Sequence, residues 1–365
     1  MATHLGRDQA GASAPQGAGG AASVTLEDVA REAGVSLATA SRVLNGGLRR
    51  PGAAMQQRVT AAADRLGYSV SAPAQAMARG RTNIVGLIVH DIANPYFAGI
   101  AAGAMAAASS HRLLTTMADT RRNPELEITY VAALRQQRAQ AIILAGSRVR
   151  DRRLLDRLAA ELRRYRAGGG RVAVIGQQRL DVDTVVVDNR PGARALAVAL
   201  VDAGHDRFAV IAGPSSLLTS ADRVAGFREG LTRRGIDVAS VPTLHEEFTR
   251  EGGYRGATRW LADRDGYACL FAVTDVMAVG ALAAIREADL HPPHDLALAG
   301  FDDVVTSRDV FPALTTVHIP LEQIGRDAVE LVLRGAADGR HSDVDLRTIH
   351  VPGSVVLRES TLRPA

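Results

Sequence analysis

The chain has 365 residues, 47% of them hydrophobic, which is enough for two or three domains and excludes a disordered protein. The single cysteine, Cys269, excludes an intrachain disulfide and a cysteine-based metal cluster. No apolar run is long enough to span a membrane, and residues 1–22 lack the apolar core of a signal peptide. We therefore expect a cytoplasmic protein with no membrane partner.

The net charge of +4 is located in the first quarter of the chain. Residues 1–82 contain nine arginines and five acidic residues, whereas residues 83–365 contain 34 of each kind. A small basic region joined to a neutral body favours a module that binds a polyanion, linked to a second module of different function. A charge of this size is also common on ordinary soluble surfaces.

Three short helices are predicted near the start of the chain. The first begins at Thr25, whose hydroxyl precedes the Asp28 carboxylate by three residues, the spacing of a capping box. Gly34 ends this helix, Ser36 can cap the second, and residues 51–67 carry the third. Two short helices that meet at a glycine turn predict a helix-turn-helix. The same pattern also fits a generic three-helix bundle with solvated arginines.

The second helix would present its exposed face to solvent or to the major groove of DNA. Arg42 lies on this face, and its planar guanidinium matches the O6 and N7 acceptors of guanine. Short polar side chains suited to phosphate contacts lie around it, namely Ser36, Thr39, Ser41 and Asn45. The first quarter of the chain is therefore predicted to bind DNA.

From Asn83 onward, short continuous apolar runs alternate with helical stretches. The runs, typical of buried parallel strands, are Ile84–Val89, Ala141–Leu144, Val172–Ile175, Thr184–Val187, Phe208–Ile211, Cys269–Val273 and Leu296–Ala299. The helical stretches are Phe97–Ser110, Glu125–Arg138, Pro191–Ala203, Ser220–Arg234, Gly252–Ala262, Val276–Ala288 and Leu321–Leu333. This alternation predicts an α/β architecture with parallel sheets. Because a stretch of about 280 residues is too long for one open sheet, two lobes are predicted.

A series of ordered motifs runs through nearly everything after residue 23. The motifs are Val24–Ser36, Ala38–Asn45, Leu66–Tyr68, Gly80–Thr82, Ile84–Gly86, Asn94–Phe97, Asp188–Asn189, Arg223–Phe227, Gly300–Asp303 and Pro312–Val317. Their residues and order closely resemble those of the LacI/GalR (lactose-repressor) family. The resemblance implies an N-terminal three-helix helix-turn-helix head and a hinge. A two-lobed α/β core with parallel sheets, like that of periplasmic binding proteins, would follow.

The resemblance also implies domain boundaries. A disordered tail at residues 1–22 would precede the DNA-binding head at 23–70, a hinge helix and linker at 71–82, and an effector-binding and dimerisation core at 83–365. Within the core, lobe 1 would comprise residues 83–188 and 317–344, and lobe 2 residues 189–316 and 345–361. The sequence shows no metal-ligand spacing or phosphate-binding loop, so no metal and no cofactor is expected.

The DNA-contacting positions implied by the resemblance are Thr25, Ser36, Leu37, Ala38, Thr39, Ser41, Arg42, Asn45 and Met77. Of these, Leu37, Ala38 and Arg42 would read bases. Leu37 and Ala38 depart from the polar pair of some relatives and offer only apolar contacts, for example to thymine methyl groups. Met77 falls where relatives carry a leucine that wedges into the minor groove; alternatively, it packs under the core. Pro73 falls inside the expected hinge helix and implies a short one.

The effector-binding positions implied by the resemblance are Asn94, Tyr96, Phe97, Gln178, Arg223, Phe248, Thr274 and Asp302. The three aromatic rings can stack on a sugar or a base; alternatively, they fill the core. Arg223 and Asp302 suit vicinal hydroxyls; alternatively, they form a salt bridge between the lobes. Gln178 and Thr274 stand where other polar residues are commoner in relatives.

The sequence therefore predicts a transcription regulator, specifically a repressor that binds a pseudo-palindromic operator in double-stranded DNA as a homodimer or higher oligomer. Its effector is expected to be a sugar or a sugar-like metabolite, with a non-sugar metabolite such as a nucleobase as the alternative. Two rivals belong to other classes, a transport-type sugar-binding protein and an α/β enzyme. The DNA-binding head disfavours the first, and the lack of a recognisable catalytic dyad disfavours the second.

Overall fold

The computed structural model describes residues 24–45, 51–69, 80–334 and 346–362. The chain divides into two compact units, Met1–Arg79 and Gly80–Ala365. The tail predicted at residues 1–22, most of the predicted hinge, and Met77 lie outside the described residues. Within the described residues, no helix is long and apolar enough to cross a membrane.

The first unit contains three helices, α1 (Leu26–Glu32), α2 (Leu37–Asn45) and α3 (Ala53–Leu66). The predicted capping box is present at α1, because the Asp28 amide donates to Thr25 Oγ1 (3.3 Å) and the Thr25 amide donates to Asp28 Oδ2 (3.0 Å). Between α1 and α2 the chain turns through Gly34, whose φ of 62° favours glycine. The helix-turn-helix prediction is confirmed.

Small and β-branched side chains hold these three helices together. Val29 of α1, Ala40 of α2, and Val59 and Ala62 of α3 are fully buried in one cluster. Burying a valine side chain contributes about 1.5–3 kcal/mol, so a core of this size supports only a small unit. The small side chains at the crossing of α1 and α2 allow the two helices to approach closely. This packing leaves the opposite face of α2 exposed.

The second unit begins with a lobe built on six parallel strands. These strands are β1 (Ile84–Val89), β2 (Leu114–Asp119), β3 (Ala141–Ala145), β4 (Arg171–Ile175), β5 (Asp183–Val187) and β11 (Thr348–Val351), in the order β11-β5-β4-β3-β1-β2. Helices α4 (Pro95–Ser110) and α12 (Leu321–Arg334) pack together on one face, and α5 (Pro124–Gln136) and α6 (Arg152–Ala167) pack on the other. Alternate side chains of β1 enter two different cores, Leu87 on the α4 side and Ile88 on the α5 side.

The other lobe is built on four parallel strands in the order β7-β6-β8-β9. They are β6 (Phe208–Ala212), β7 (Thr243–His245), β8 (Cys269–Ala272) and β9 (Ala297–Ala299). The helices pack in two pairs, α7 (Asn189–Asp202) with α8 (Leu218–Arg233) and α9 (Arg250–Asp263) with α10 (Asp275–Glu287), and a short α11 (Thr306–Asp309) follows β9. Glycine permits the close α9–α10 approach, since a Cβ at Gly280 would lie 1.9 Å from the Arg250 carbonyl oxygen.

The chain passes between the two lobes three times. It crosses after β5, again between β9 and α12, and finally between β11 and β12 (Ser354–Val356), which pairs antiparallel with β10 (Thr316–His318). The sequence places residues 345–361 in lobe 2, whereas in the structure Thr348–Val351 extend the first sheet beside β5. The chain thus completes that sheet before it crosses, and only its last segment joins the second lobe. The predicted fold class, with parallel sheets in two lobes, is confirmed.

Candidate functional site

A cleft lies between the two lobes, at the carboxyl ends of strands from both sheets. It contains about 540 Å³ of space that no atom occupies, part of it open to solvent. His90 and Gly146 line it from the ends of β1 and β3, while Phe248, Thr274 and Asp302 line it from the ends of β7, β8 and β9. Open parallel sheets bind ligands at this edge, so the cleft is the candidate ligand site.

Arg223 forms the polar wall of the cleft in the second lobe. Its guanidinium makes three hydrogen bonds: Nε to Asn189 Oδ1 (2.8 Å), Nη1 to the Val273 carbonyl (2.7 Å) and Nη2 to Asp302 Oδ1 (2.7 Å). The guanidinium also lies 3.9 Å from the centre of the Phe301 ring. Arg223 and Asp302 are both buried and belong to the same lobe. The alternative prediction of a salt bridge between lobes is therefore wrong, because the pair closes within lobe 2.

A second buried carboxyl group, that of Asp275, lies near enough to Asp302 for their charges to interact. Burial raises the pKa of the Asp302 carboxyl, and the Arg223 guanidinium acts in the opposite direction. Burial and the neighbouring Asp302 charge raise the pKa of Asp275 to about 7. Asp275 accepts hydrogen bonds from Thr316 Oγ1 (2.7 Å) and the Val304 amide (2.9 Å). Asp302 thus faces the cleft with Arg223 as its cation, while Asp275 takes up a proton as the pH falls through about 7.

Aromatic side chains face the cleft from both lobes. Tyr96 and Phe97 meet edge to face with ring centres 5.1 Å apart, and Phe248 lines the cleft from the second lobe. Burial and the Asp302 charge raise the pKa of the Tyr96 hydroxyl, which stays protonated. Phe97 both lines the cleft and is part of the hydrophobic core. Phe248 packs so closely on Gly213 that a Cβ there would lie 2.0 Å from the ring.

The remaining predicted effector residues divide into two groups. Asn94 and Thr274 line the cleft, but each also caps a helix: Asn94 Oδ1 accepts from the Tyr96 amide (3.0 Å) and Thr274 Oγ1 from the Met277 amide (3.2 Å). Gln178 is exposed and does not line the cleft. The preceding Gln177 contacts both lobes instead, since its amide accepts from the Arg148 amide (2.8 Å) and donates to Thr219 Oγ1 (2.9 Å).

Several lining residues were not predicted to bind the effector, among them His90, which the sequence places near the cleft in a structural role, and Arg122, Ser147, Asn189 and Thr219. Burial lowers the pKa of His90 to about 4, so its imidazole is neutral at physiological pH. Asn189 belongs to a motif noted in the sequence, but nothing there indicated its contact with Arg223. The sequence could not single out Arg122, because the residue before it, the exposed Arg121, is also an arginine.

The two lobes are joined across the cleft at two places. On one side, Arg122 Nη2 donates to the Phe248 carbonyl (3.1 Å). On the other, the Thr219 amide donates to Ser147 Oγ (3.1 Å) and the Leu218 amide to the Arg148 carbonyl (3.1 Å). Arg148 is itself fixed by two hydrogen bonds to the buried Glu127 (3.0 and 2.9 Å). These contacts hold the lobes together around the cleft.

The exposed face of α2 carries the residues predicted to read bases. Leu37 is 45% exposed, and Ala38 and Arg42 are also exposed. Arg42 Nε donates to the Ala38 carbonyl (3.1 Å), so its side chain folds back along α2.

The residues predicted to contact phosphates lie at the ends of α1 and α2 and along α2. Ser36 Oγ accepts from the Thr39 amide (3.2 Å), and the two hydroxyls lie 2.8 Å apart. Thr25 donates its hydroxyl to Asp28 Oδ2 (2.7 Å), Ser41 is half-buried on α2, and Asn45 is the last residue of that helix.

A helix-turn-helix unit followed by a two-lobed α/β unit with a cleft defines a class of DNA-binding regulators. Residues 25–71 match the family described as bacterial regulatory proteins, lacI family, and residues 197–361 match the periplasmic binding protein-like domain. The chain belongs to the LacI family. It is therefore a DNA-binding transcriptional regulator.

Individual relatives cover nearly the whole chain. The HTH-type transcriptional regulator DegA of Bacillus subtilis (strain 168) is 30% identical over 341 residues, 92% of this chain and 98% of DegA. The HTH-type transcriptional repressor PurR of Proteus mirabilis (strain HI4320) is 30% identical over 92% of this chain and 96% of PurR. A solved structure of the transcriptional regulator CelR with cellobiose matches with a TM-score of 0.65 and 28% identity, covering 92% of this chain and 99% of that one.

Proposed function

We propose that this regulator is a repressor whose operator affinity is controlled by a small effector bound in the cleft. The observation that carries the proposal is the buried Arg223–Asp302 pair, which lines a cleft whose other walls bear aromatic rings. A guanidinium that donates and a carboxylate that accepts suit adjacent hydroxyl groups, and the rings suit a flat apolar surface. The effector-binding residues are Asn94, Tyr96, Phe97, Arg223, Phe248, Thr274 and Asp302, with Gln178 omitted.

We infer that the effector is a sugar or a sugar-like metabolite. A pyranose ring offers one apolar face for Tyr96 or Phe248 and several hydroxyls for Arg223 and Asp302. The solved relative CelR, which was obtained with cellobiose, supports this choice. A nucleobase is the second candidate, because rings that approach from opposite lobes would also suit a planar molecule.

The DNA-binding proposal assigns base reading to Leu37, Ala38 and Arg42 on the exposed face of α2. Phosphate contacts are assigned to Thr25, Ser36, Thr39, Ser41 and Asn45, and a minor-groove wedge is assigned to Met77. The chain would bind a pseudo-palindromic operator as a homodimer in the cytoplasm, because two identical heads read two half-sites. Residues 71–82 would link the head at 23–70 to the core at 83–365 and carry the effector signal between them.

A ligand screen by thermal unfolding tests the effector assignment. A ligand at about 100 times its Kd stabilises the protein by about 2.7 kcal/mol, which is a clear shift of the melting temperature. The full-length protein is screened against sugars and nucleobases together with Asp302→Asn and the control Asp309→Asn, whose side chain is exposed in the same lobe. The proposal predicts that Asp302→Asn loses the shift and Asp309→Asn keeps it. A ligand that stabilises all three proteins equally would show that the site lies elsewhere.

A further inference from the structure

Arg122 reaches the cleft from a rigid connection between β2 and α5. Its amide donates to the His90 carbonyl (2.9 Å), and the adjacent Asn123 amide donates to the Thr120 carbonyl (2.9 Å). Its backbone has a φ of 61°, in the left-handed region that side chains other than glycine rarely adopt. The surrounding hydrogen bonds therefore hold Arg122 in place, and its half-buried side chain lines the cleft.

The guanidinium of Arg122 has hydrogen-bonding capacity to spare. The side chain makes two hydrogen bonds, both through Nη2, to the Phe248 carbonyl (3.1 Å) and to Asp91 Oδ2 (3.3 Å). Nε and Nη1 make none to the residues that the structure describes. Arg223, by contrast, makes three hydrogen bonds within lobe 2 and, in the described part of the chain, keeps only one free N–H on each of Nη1 and Nη2. Over the described ranges, Arg122 therefore has more free N–H donors than Arg223, three against two, to offer to an anionic partner.

The charges that line the cleft do not balance. Arg223 and Asp302 neutralise each other across 2.7 Å, and the His90 imidazole is neutral because burial lowers its pKa to about 4. Arg122 then remains, paired with Asp91 at 3.3 Å outside the cleft lining and with Asp119 as a second carboxylate near enough to act on its charge. The guanidinium lies 5.4 Å from the centre of the Phe248 ring, so a ligand ring stacked on Phe248 would bring its substituents close to Arg122.

We propose that the effector carries an oxyanion, a carboxylate or a phosphate, which Arg122 binds while the effector ring lies against Phe248. This inference rests on the proposed function of the cleft and narrows the class of effector. Arg122 acts as a specificity residue, because Arg223 and Asp302 recognise hydroxyl or ring groups that neutral and acidic ligands share. The oxyanion accepts hydrogen bonds from Nε and Nη1, while Nη2 keeps its contacts with Asp91 and the Phe248 carbonyl.

Matched neutral and acidic probes test the proposal. The probes are glucose, glucuronate and glucose 6-phosphate, ribose and ribose 5-phosphate, inosine and inosine monophosphate, and inorganic phosphate alone. Calorimetry on the full-length protein compares wild type, Arg122→Gln and the control Arg121→Gln, which removes an exposed arginine from the neighbouring left-handed position. In wild type and Arg121→Gln, an acidic probe should bind roughly ten- to a hundredfold more tightly than its neutral partner.

Arg122→Gln should bring the ratio of acidic to neutral affinity close to one, whatever both affinities lose with the contact to the Phe248 carbonyl, and Arg122→Lys should restore part of the preference. The carboxylate and phosphate members of the glucose series show which oxyanion is bound. A neutral probe that binds as tightly as its acidic partner overturns the proposal, as does an equal loss for both in Arg122→Gln. Failure of every acidic probe to bind also overturns it. If neutral probes bind and Asp302→Asn abolishes that binding, the proposed function stands although the oxyanion does not.

Discussion

Replacing Arg223 by methionine should strongly lower the free energy of unfolding. Replacing its charge partner Asp302 as well should recover much of that loss of stability. Arg223→Met keeps the apolar stem that lies against Phe301 but removes three hydrogen bonds from the guanidinium. The Asp302 carboxylate then stays buried without a cation. In Arg223→Met/Asp302→Leu, neither charge is left buried without its partner.

The expected magnitude follows from the burial of the pair, whose side chains are 2% and 5% exposed. Removing one partner of such a pair costs about 3–5 kcal/mol, a large fraction of the roughly 5–15 kcal/mol that stabilises a typical protein. Replacing both partners with apolar residues of similar size is often close to neutral. The Arg223→Met penalty should shrink at acidic pH, because protonation removes the stranded charge on Asp302. The loss of stability in Arg223→Met should reach its full size at neutral pH, where aspartate in the unfolded chain is ionised.

Urea unfolding at neutral and mildly acidic pH measures these differences in wild type, the single variants, the double variant and Arg233→Met. Arg233 is exposed at the end of α8, so its replacement should change the free energy of unfolding by less than about 0.5 kcal/mol. A double variant as unstable as the sum of both single variants would refute the coupling. An Arg223→Met penalty that does not depend on pH would refute the role of the stranded carboxylate.

Three further predictions concern other residues. Between pH 3.8 and about 7 the folded protein holds a proton on Asp275 that the unfolded chain releases, so the stability of the protein should fall as the pH rises through this range. The melting temperature of Asp275→Asn should depend less on pH than that of wild type. Gly213→Ala should displace Phe248 and weaken effector binding measured by calorimetry, without changing operator affinity in the absence of effector. Arg42→Ala should cost about 1–3 kcal/mol on the operator and less on a scrambled duplex in titrations at one salt concentration, whereas equal losses would indicate a phosphate contact.

The parts of the fold that the sequence predicted are those where burial makes the pattern unambiguous. All seven apolar runs form strands, because strands covered on both faces are apolar throughout. The strand Leu114–Asp119 was missed because it pairs only with β1 at the sheet edge, and its mixed polar side chains are partly exposed. Thr348–Val351 was missed for the same reason at the opposite edge.

The effector residues were predicted from the resemblance to the LacI/GalR family, and the prediction fails where the local course of the chain decides which side chain reaches the cleft. Seven of the eight predicted effector residues line the cleft, whereas Gln178 is exposed and its neighbour Gln177 hydrogen-bonds to Arg148 and Thr219. Residues 121 and 122 are both arginines, so residue type does not distinguish them. They differ only because the turn after β2 directs one side chain to solvent and the other to the cleft.

The measurement that tests the account most directly is operator affinity with and without effector. Fluorescence anisotropy with an operator selected from random duplexes compares wild type, Asp302→Asn and Asp309→Asn in the presence of a ligand identified by thermal shift. We predict that the ligand changes the operator affinity of wild type and Asp309→Asn by about 5- to 150-fold and leaves that of Asp302→Asn unchanged. A ligand that binds in the cleft without changing operator affinity would contradict the account, as would an Asp302→Asn protein that responds like wild type.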